Sequence, residues 1–300
     1  MKRMLSLLMT VMLLLAITGC GAASTGEGVR IMDSRGVEVI FDSVPRSIVS
    51  LSPANTEILY ALGAGDQIIA VSEYCNYPED TGNKQKLPTG EKLNIEALIS
   101  LNPGVVFLSQ MGAMEDQLGQ LENAGIKVVV TEANSLDETY EIIRMIGQAT
   151  GKSKEADELV SSMQESFEAL KEEARGISQK SVYVEVSPLQ YGLWSCGQET
   201  FVQELLDIIG AKNIFDDTTG WSAVSEEQVI ERNPDIIITT ASPLTGIEDP
   251  VGDITGRANW AEINAVKKGQ VYMLDGDMLS RPGPRLVEAA RELMGTMDEL

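Results

Sequence analysis

Ser153-Lys-Glu-Ala-Asp-Glu-Leu-Val-Ser-Ser-Met-Gln-Glu-Ser-Phe-Glu-Ala-Leu-Lys-Glu-Glu-Ala-Arg175 is densely charged and contains neither glycine nor proline. The run reads as one helix of roughly 23 residues, about 35 Å long, which outlasts an ordinary crossover between neighbouring strands. On either side of it the chain alternates. Before it, residues 48–51, 68–71, 105–108 and 127–130 read as short buried strands. Helices are expected over 56–62, capped by Asn55 and ended by Gly63-Ala-Gly65, and over 94–100, 115–123 and 135–150. After it come a strand at 182–186, helices at 200–209 and 225–231, strands at 236–239 and 270–274, and a last helix at 285–297. Alternation of this kind defines parallel α/β architecture. The fold expected is therefore α/β, with two Rossmann-like lobes at 30–150 and 177–300 joined by a single long helix at 151–176. The competing arrangement is one continuous sheet in which that helix is a long crossover. Residues 30–33 and 37–41, around Ser34-Arg-Gly36, add a small hairpin before the first lobe.

Charge and cysteine usage narrow the function. Ile17-Thr-Gly-Cys20 closes a short apolar run behind Lys2 and Arg3, the pattern of a secretory signal (1–19) cut before a cysteine that receives lipid. At about 1.5 Å per residue the run is too short to cross a core of roughly 30 Å comfortably. Cys20 is thus the expected anchor on the extracytoplasmic face of the cell membrane. Residues 20–29, small and polar, would form a flexible tether. Removal of the signal leaves 21 basic residues against 45 acidic ones, a net charge of −24. Nucleic acid is a poor partner for such a chain. The sequence has no histidine, which removes the commonest metal ligand and the usual general base, so Ser-His-Asp and Cys-His catalysis are excluded. There is no nucleophile elbow and no phosphate-binding Walker loop.

Several motifs, taken in order, resemble one family. Ser50-Leu-Ser-Pro-Ala-Asn-Thr-Glu57, Ala61-Leu-Gly63, Val71-Ser72 and Tyr74-Cys-Asn-Tyr-Pro78 are similar to the substrate-binding proteins of ABC importers for cobalamin and iron–siderophore complexes, the class III, helical-backbone periplasmic binding proteins. Asn94-Ile-Glu-Ala-Leu-Ile-Ser-Leu-Asn-Pro103, Gly197-x-x-Thr-Phe201, Gly210-Ala-Lys-Asn213, Trp221-Ser-Ala-Val-Ser-Glu-Glu-Gln228 and Asn233-Pro-Asp235 continue the match to the end of the chain. The resemblance implies a monomeric, non-catalytic binder with no cofactor of its own. It would carry a corrinoid or ferric chelate to a permease dimer with ATPase subunits, and it touches the membrane only through its lipid.

If cargo lies between the lobes, loops at strand ends should line the cleft. The candidates are Tyr74 and Met111 from the first lobe and Tyr191, Trp194, Trp221 and Arg281 from the second. Flat aromatic faces would pack on a ring system, and Arg281, with Arg257 as a second candidate, would meet an anionic oxygen. Trp260 is expected in the core. The resemblance places aromatic residues of cobalamin binders at Tyr74, Trp194 and Trp221. It also shows differences: Pro88-Thr-Gly-Glu91 lacks a tryptophan, and Ser109 stands where another would fall. Corrinoid and siderophore therefore both stay open, and a haem cargo would need Tyr or Met as its axial ligand. Glu96 and Glu227 sit in equivalent helices, and the resemblance implies that they dock into arginine pockets on the permease, with Glu226 as the neighbouring alternative. Cys75 and Cys196 are expected near the cleft on opposite lobes, as two free thiols or as a redox-sensitive bridge. The rival from another class is an extracytoplasmic enzyme using a carboxylate pair on the same scaffold.

Overall fold

Short runs of isoleucine and valine build two separate parallel sheets. In the first lobe these are β3 (Ile48–Ser50), β4 (Ile68–Ser72), β5 (Gln85–Leu87), β6 (Val105–Ser109) and β7 (Val128–Thr131), in the order β5-β4-β3-β6-β7. The second lobe has β8 (Ser181–Glu185), β10 (Lys212–Asn213), β12 (Ile236–Thr239) and β13 (Val271–Met273), in the order β10-β8-β12-β13. An antiparallel pair, β1 (Val29–Met32) and β2 (Glu38–Phe41), forms the hairpin. A second antiparallel ribbon joins β9 (Trp194–Cys196) to β11 (Trp221–Ala223). This is a computed structural model, which describes residues 28–89, 93–110, 115–243 and 246–298. The signal, Cys20 and most of the tether lie outside these residues, as does Met111. Among the described residues no helix is long and apolar enough to cross a membrane.

The first-lobe helices are α1 (Pro53–Ala61), α2 (Ile95–Leu101), α3 (Glu115–Asn123) and α4 (Leu136–Ala149). The quoted charged run is α5, Ser153–Ala174. In the second lobe follow α6 (Phe201–Ile208), α7 (Glu226–Arg232), α8 (Pro250–Thr255), α9 (Asn264–Lys268), α10 (Gly276–Ser280) and α11 (Leu286–Asp298). Helix α1 starts earlier than Asn55 because Pro53, with no N–H to leave unpaired, fits the first turn after Ser52. Asn55 is consequently inside the helix and buried.

Alternation along each strand divides the core. Ile48, Val105 and Phe107 point to one face of the first sheet, while Val49, Val106 and Leu108 point to the other. In the second sheet Val182, Val184, Ile236 and Ile238 share a face, and Tyr183 and Ile237 lie opposite. The first set from each sheet belongs to one continuous apolar cluster, which also takes Ala156, Val160, Met163, Phe167 and Leu170 of α5. Those five positions recur every three or four residues, so α5 presents one apolar stripe to the interior and its charges to water. The helix is thus packed along its length against α4, α6 and α11.

Candidate binding site between the lobes

The strands carry a polar carboxyl edge. β3, β4, β6 and β7 end in Ser50, Ser72, Ser109 and Thr131, and β8 and β12 end in Glu185 and Thr239. Strand order reverses between β3 and β6 in one sheet and between β8 and β12 in the other, the points where open α/β sheets receive ligands. At the first of these points α1 begins. Thr56 Oγ1 donates to Ser50 Oγ (2.8 Å), and Thr131 Oγ1 donates to Asn55 Oδ1 (3.0 Å).

Glu57, on the same turn, joins the lobes. Its buried carboxylate accepts from Arg281 (2.9 Å) and from Nε and a terminal nitrogen of Arg285 (2.8 and 2.7 Å). Arg285 also reaches Asp275 (3.3 Å) and lies 4.4 Å above the Tyr77 ring centroid, a cation–π contact. The Arg281 guanidinium pairs with Asp277 (2.7 Å) and donates to Asn76 Oδ1 (2.8 Å) and the Tyr74 carbonyl (3.4 Å). Asn76 Nδ2 donates in turn to Asp277 (2.7 Å). The loop after β4 and the segment after β13 therefore meet in one hydrogen-bonded seam. Glu57, Asn76, Asp277 and Arg285 were absent from the sequence expectation. A readable trace existed in a lone carboxylate before the apolar Ile58-Leu59 and in two arginines four residues apart, but 224 and 228 residues separate Glu57 from its partners.

The aromatic candidates divide between surface and core. Tyr74, Tyr191 and Trp194 are exposed (59%, 67% and 42%), which leaves their rings free to meet a ligand. Tyr74 is the one placed beside Arg281 by a direct bond. Trp194 and Trp221 share one face of the β9–β11 ribbon, because Trp194 lies opposite Ala223 and Cys196 opposite Trp221. Trp221 is half-buried, its ring set edge-on to Phe201 at 5.7 Å. The surface that the Trp221 indole covers is thus at least partly the protein's own core. Arg281 holds two carboxylates already instead of standing free. Arg257 is no cleft residue. It is buried in a fork with Glu185 (2.6 and 2.9 Å), pairs with Asp253 (2.7 Å) and lies 4.5 Å over the ring of fully buried Trp260. Burial pushes the Glu185 carboxyl upward against the pull of that guanidinium. Both thiols are free and buried; Cys75 Sγ lies 3.2 Å from Thr56 Oγ1, and the Cys196 thiol is pushed up to about 12 by burial. No group of three or more Cys, Asp or Glu side chains among the described residues is arranged to hold a metal ion.

Two exposed glutamates occupy matching positions. Helix α2 follows the cap Asn94, whose side chain accepts from the Ala97 N–H, and Glu96 is its second residue. Helix α7 follows Ser225, which forms a reciprocal capping box with Gln228, and Glu227 is again the second residue. Each helix has seven residues and ends in a left-handed asparagine, Asn102 (φ 45°) or Asn233 (φ 46°), with proline next. Glu226 is set apart from Glu227, because it accepts a hydrogen bond from Trp260 Nε1 (2.9 Å). Its own backbone N–H, and then the Ser225 hydroxyl, hold the exposed Glu227 carboxyl below its usual range.

Two parallel α/β lobes on one packed helix, meeting at their strand ends, define a two-lobed ligand-binding protein. The chain belongs to the periplasmic binding protein family, whose pattern it matches over residues 48–278. It is 41% identical over 272 residues to the uncharacterised ABC transporter substrate-binding lipoprotein YvrC of Bacillus subtilis, covering 88% of this chain and 84% of that one. A vitamin B12-binding protein of Pectobacterium carotovorum is 29% identical, with coverage of 86% and 90%. Among solved structures, a possible iron-binding periplasmic solute-binding protein of Staphylococcus epidermidis superposes with a TM-score of 0.75 at 36% identity, over 85% of this chain and all of that one.

Proposed function

We propose that this protein is the lipid-anchored, extracytoplasmic substrate-binding component of an ABC importer, and that it takes up a corrinoid or ferric chelate between its lobes without transforming it. The observation that carries this reading is the matched pair Glu96 and Glu227. Each is exposed at the second position of a seven-residue capped helix, one helix per lobe, and neither enters an ion pair among the described residues. Two carboxylates held in this way suit bidentate capture by arginines on two permease subunits. Exposed Tyr74, Tyr191 and Trp194 supply faces for a ring system, and hydrogen bonds across the seam link its occupation to the angle between the lobes. Binding rather than catalysis is favoured because Glu57 and Glu185, the buried carboxylates at the strand ends, are both held by arginines instead of facing a substrate. Replacing Glu96 and Glu227 together by alanine should abolish uptake in cells while chelate affinity, followed by tryptophan fluorescence, stays unchanged. Uptake that survives the double replacement would remove the docking role.

A further inference from the structure

The arginine charges at the seam are already cancelled before any cargo arrives. Arg281 stands between Glu57 (2.9 Å) and Asp277 (2.7 Å), and Arg285 between Glu57 (2.7 Å) and Asp275 (3.3 Å). Three carboxylates thus face two guanidiniums. Arg257, the third arginine near the second lobe's strand ends, is buried with Glu185 and Asp253. Lys86, on the first lobe, donates to the Cys75 carbonyl.

An anionic cargo needs what this arrangement withholds. Carboxylates and catecholates are held by cations whose charge is not cancelled locally, and each carboxylate beside the guanidinium repels an incoming anion. We propose that Glu57 and Asp277 are specificity-determining residues: by neutralising Arg281 from behind and in front, they make the seam accept a metal chelate of zero or positive charge and reject one with net negative charge. The four terminal N–H groups of Arg281 are taken by Glu57, Asn76, the Tyr74 carbonyl and Asp277, so the guanidinium has no uncancelled charge and few donors to offer an anion. Glu57 sets the geometry, because it fixes Arg281 and Arg285 at once from a buried position. Asp277 sets the field at the surface, being only partly buried and tied to Asn76 across the seam.

This inference rests on the binding reading above, and the test separates the two. Cyanocobalamin and a neutral ferric trishydroxamate would be titrated against the purified protein beside haemin and a ferric tris-catecholate, with fluorescence corrected for ligand absorption, at low and high salt. The wild-type protein is expected to favour the neutral chelates. Glu57→Gln and Asp277→Asn should each raise the ratio of anionic to neutral affinity by roughly tenfold, an effect that shrinks in high salt. Asp277→Asn keeps the acceptor for Asn76 at a partly exposed position, so it carries the test even where Glu57→Gln fails to fold. A wild-type preference for anionic chelates, or a ratio unmoved by Asp277→Asn, would overturn the inference and leave the importer reading intact. Binding of no chelate of either charge would sink both.

Discussion

Cys196 has no exposed surface, and at a thiol value of about 12 almost none of it is thiolate at pH 8. Burial raises Cys75 as well, with Thr56 beside its sulfur. Neither thiol should react with an aromatic disulfide reagent at pH 8 in the native protein, and two should titrate once the chain is unfolded without reductant. A fast native reaction of either, or a count of zero after unfolding, would contradict the free, buried assignment. The same residues show how far single positions can be read from sequence. Trp260 is buried as expected, because burial follows local pattern, and Tyr74, Tyr191 and Trp194, the candidates for ligand contact, are exposed. Arg281, Arg257 and Trp221 were less legible. Their surroundings are set by Glu57, by Glu185 and by Phe201, and for the two arginines those partners are distant in sequence. No local pattern announces a distant partner.

Among the elements, helices and buried strands were legible to within a few residues, since both carry a period that hydrophobic burial enforces. The ribbon β9–β11, the short strand β5 and the small helices α8 to α10 were not, for three to six residues are too few to show a period. One contact between elements has a consequence for pH. Glu204 of α6 accepts the Leu136 N–H (2.7 Å), filling an open donor at the start of α4 beside an open groove of about 480 Å³. Burial, and then the negative charge of Asp137, Asp207 and Glu138, raise this carboxyl above its ordinary 4.5 in spite of that bond. The folded chain therefore keeps the proton to higher pH than the unfolded chain does. Stability from this group is full below about 4.5 and is lost as pH rises through the folded value. Glu204→Gln keeps an oxygen for Leu136 but cannot titrate, so its urea midpoint should fall less steeply with pH above 4.5 than that of the wild type. Parallel midpoint curves for the two proteins would exclude this linkage.

For the whole molecule, the division of the core decides how the chain unfolds. Each sheet reserves one face for a cluster of its own lobe, which alone would let the lobes melt separately. The other faces share a single cluster through α5, and α11 places Ala289, Ala290 and Leu293 into it with at most 1% exposure. Separating the lobes would expose the apolar stripe of α5 together with both inner faces. At roughly 25 cal/mol for each Å² of apolar surface, that loss is large beside a typical total stability of about 5–15 kcal/mol. It would also strand Glu57 or its two arginines, and breaking a buried pair costs about 3–5 kcal/mol. One cooperative transition is expected in scanning calorimetry, with van't Hoff and calorimetric enthalpies in agreement. Glu57→Ala should lower its midpoint without splitting it. Two resolved transitions in the wild type would mean that the shared cluster does not couple the lobes, and that α5 works as a linker rather than as the spine of one core.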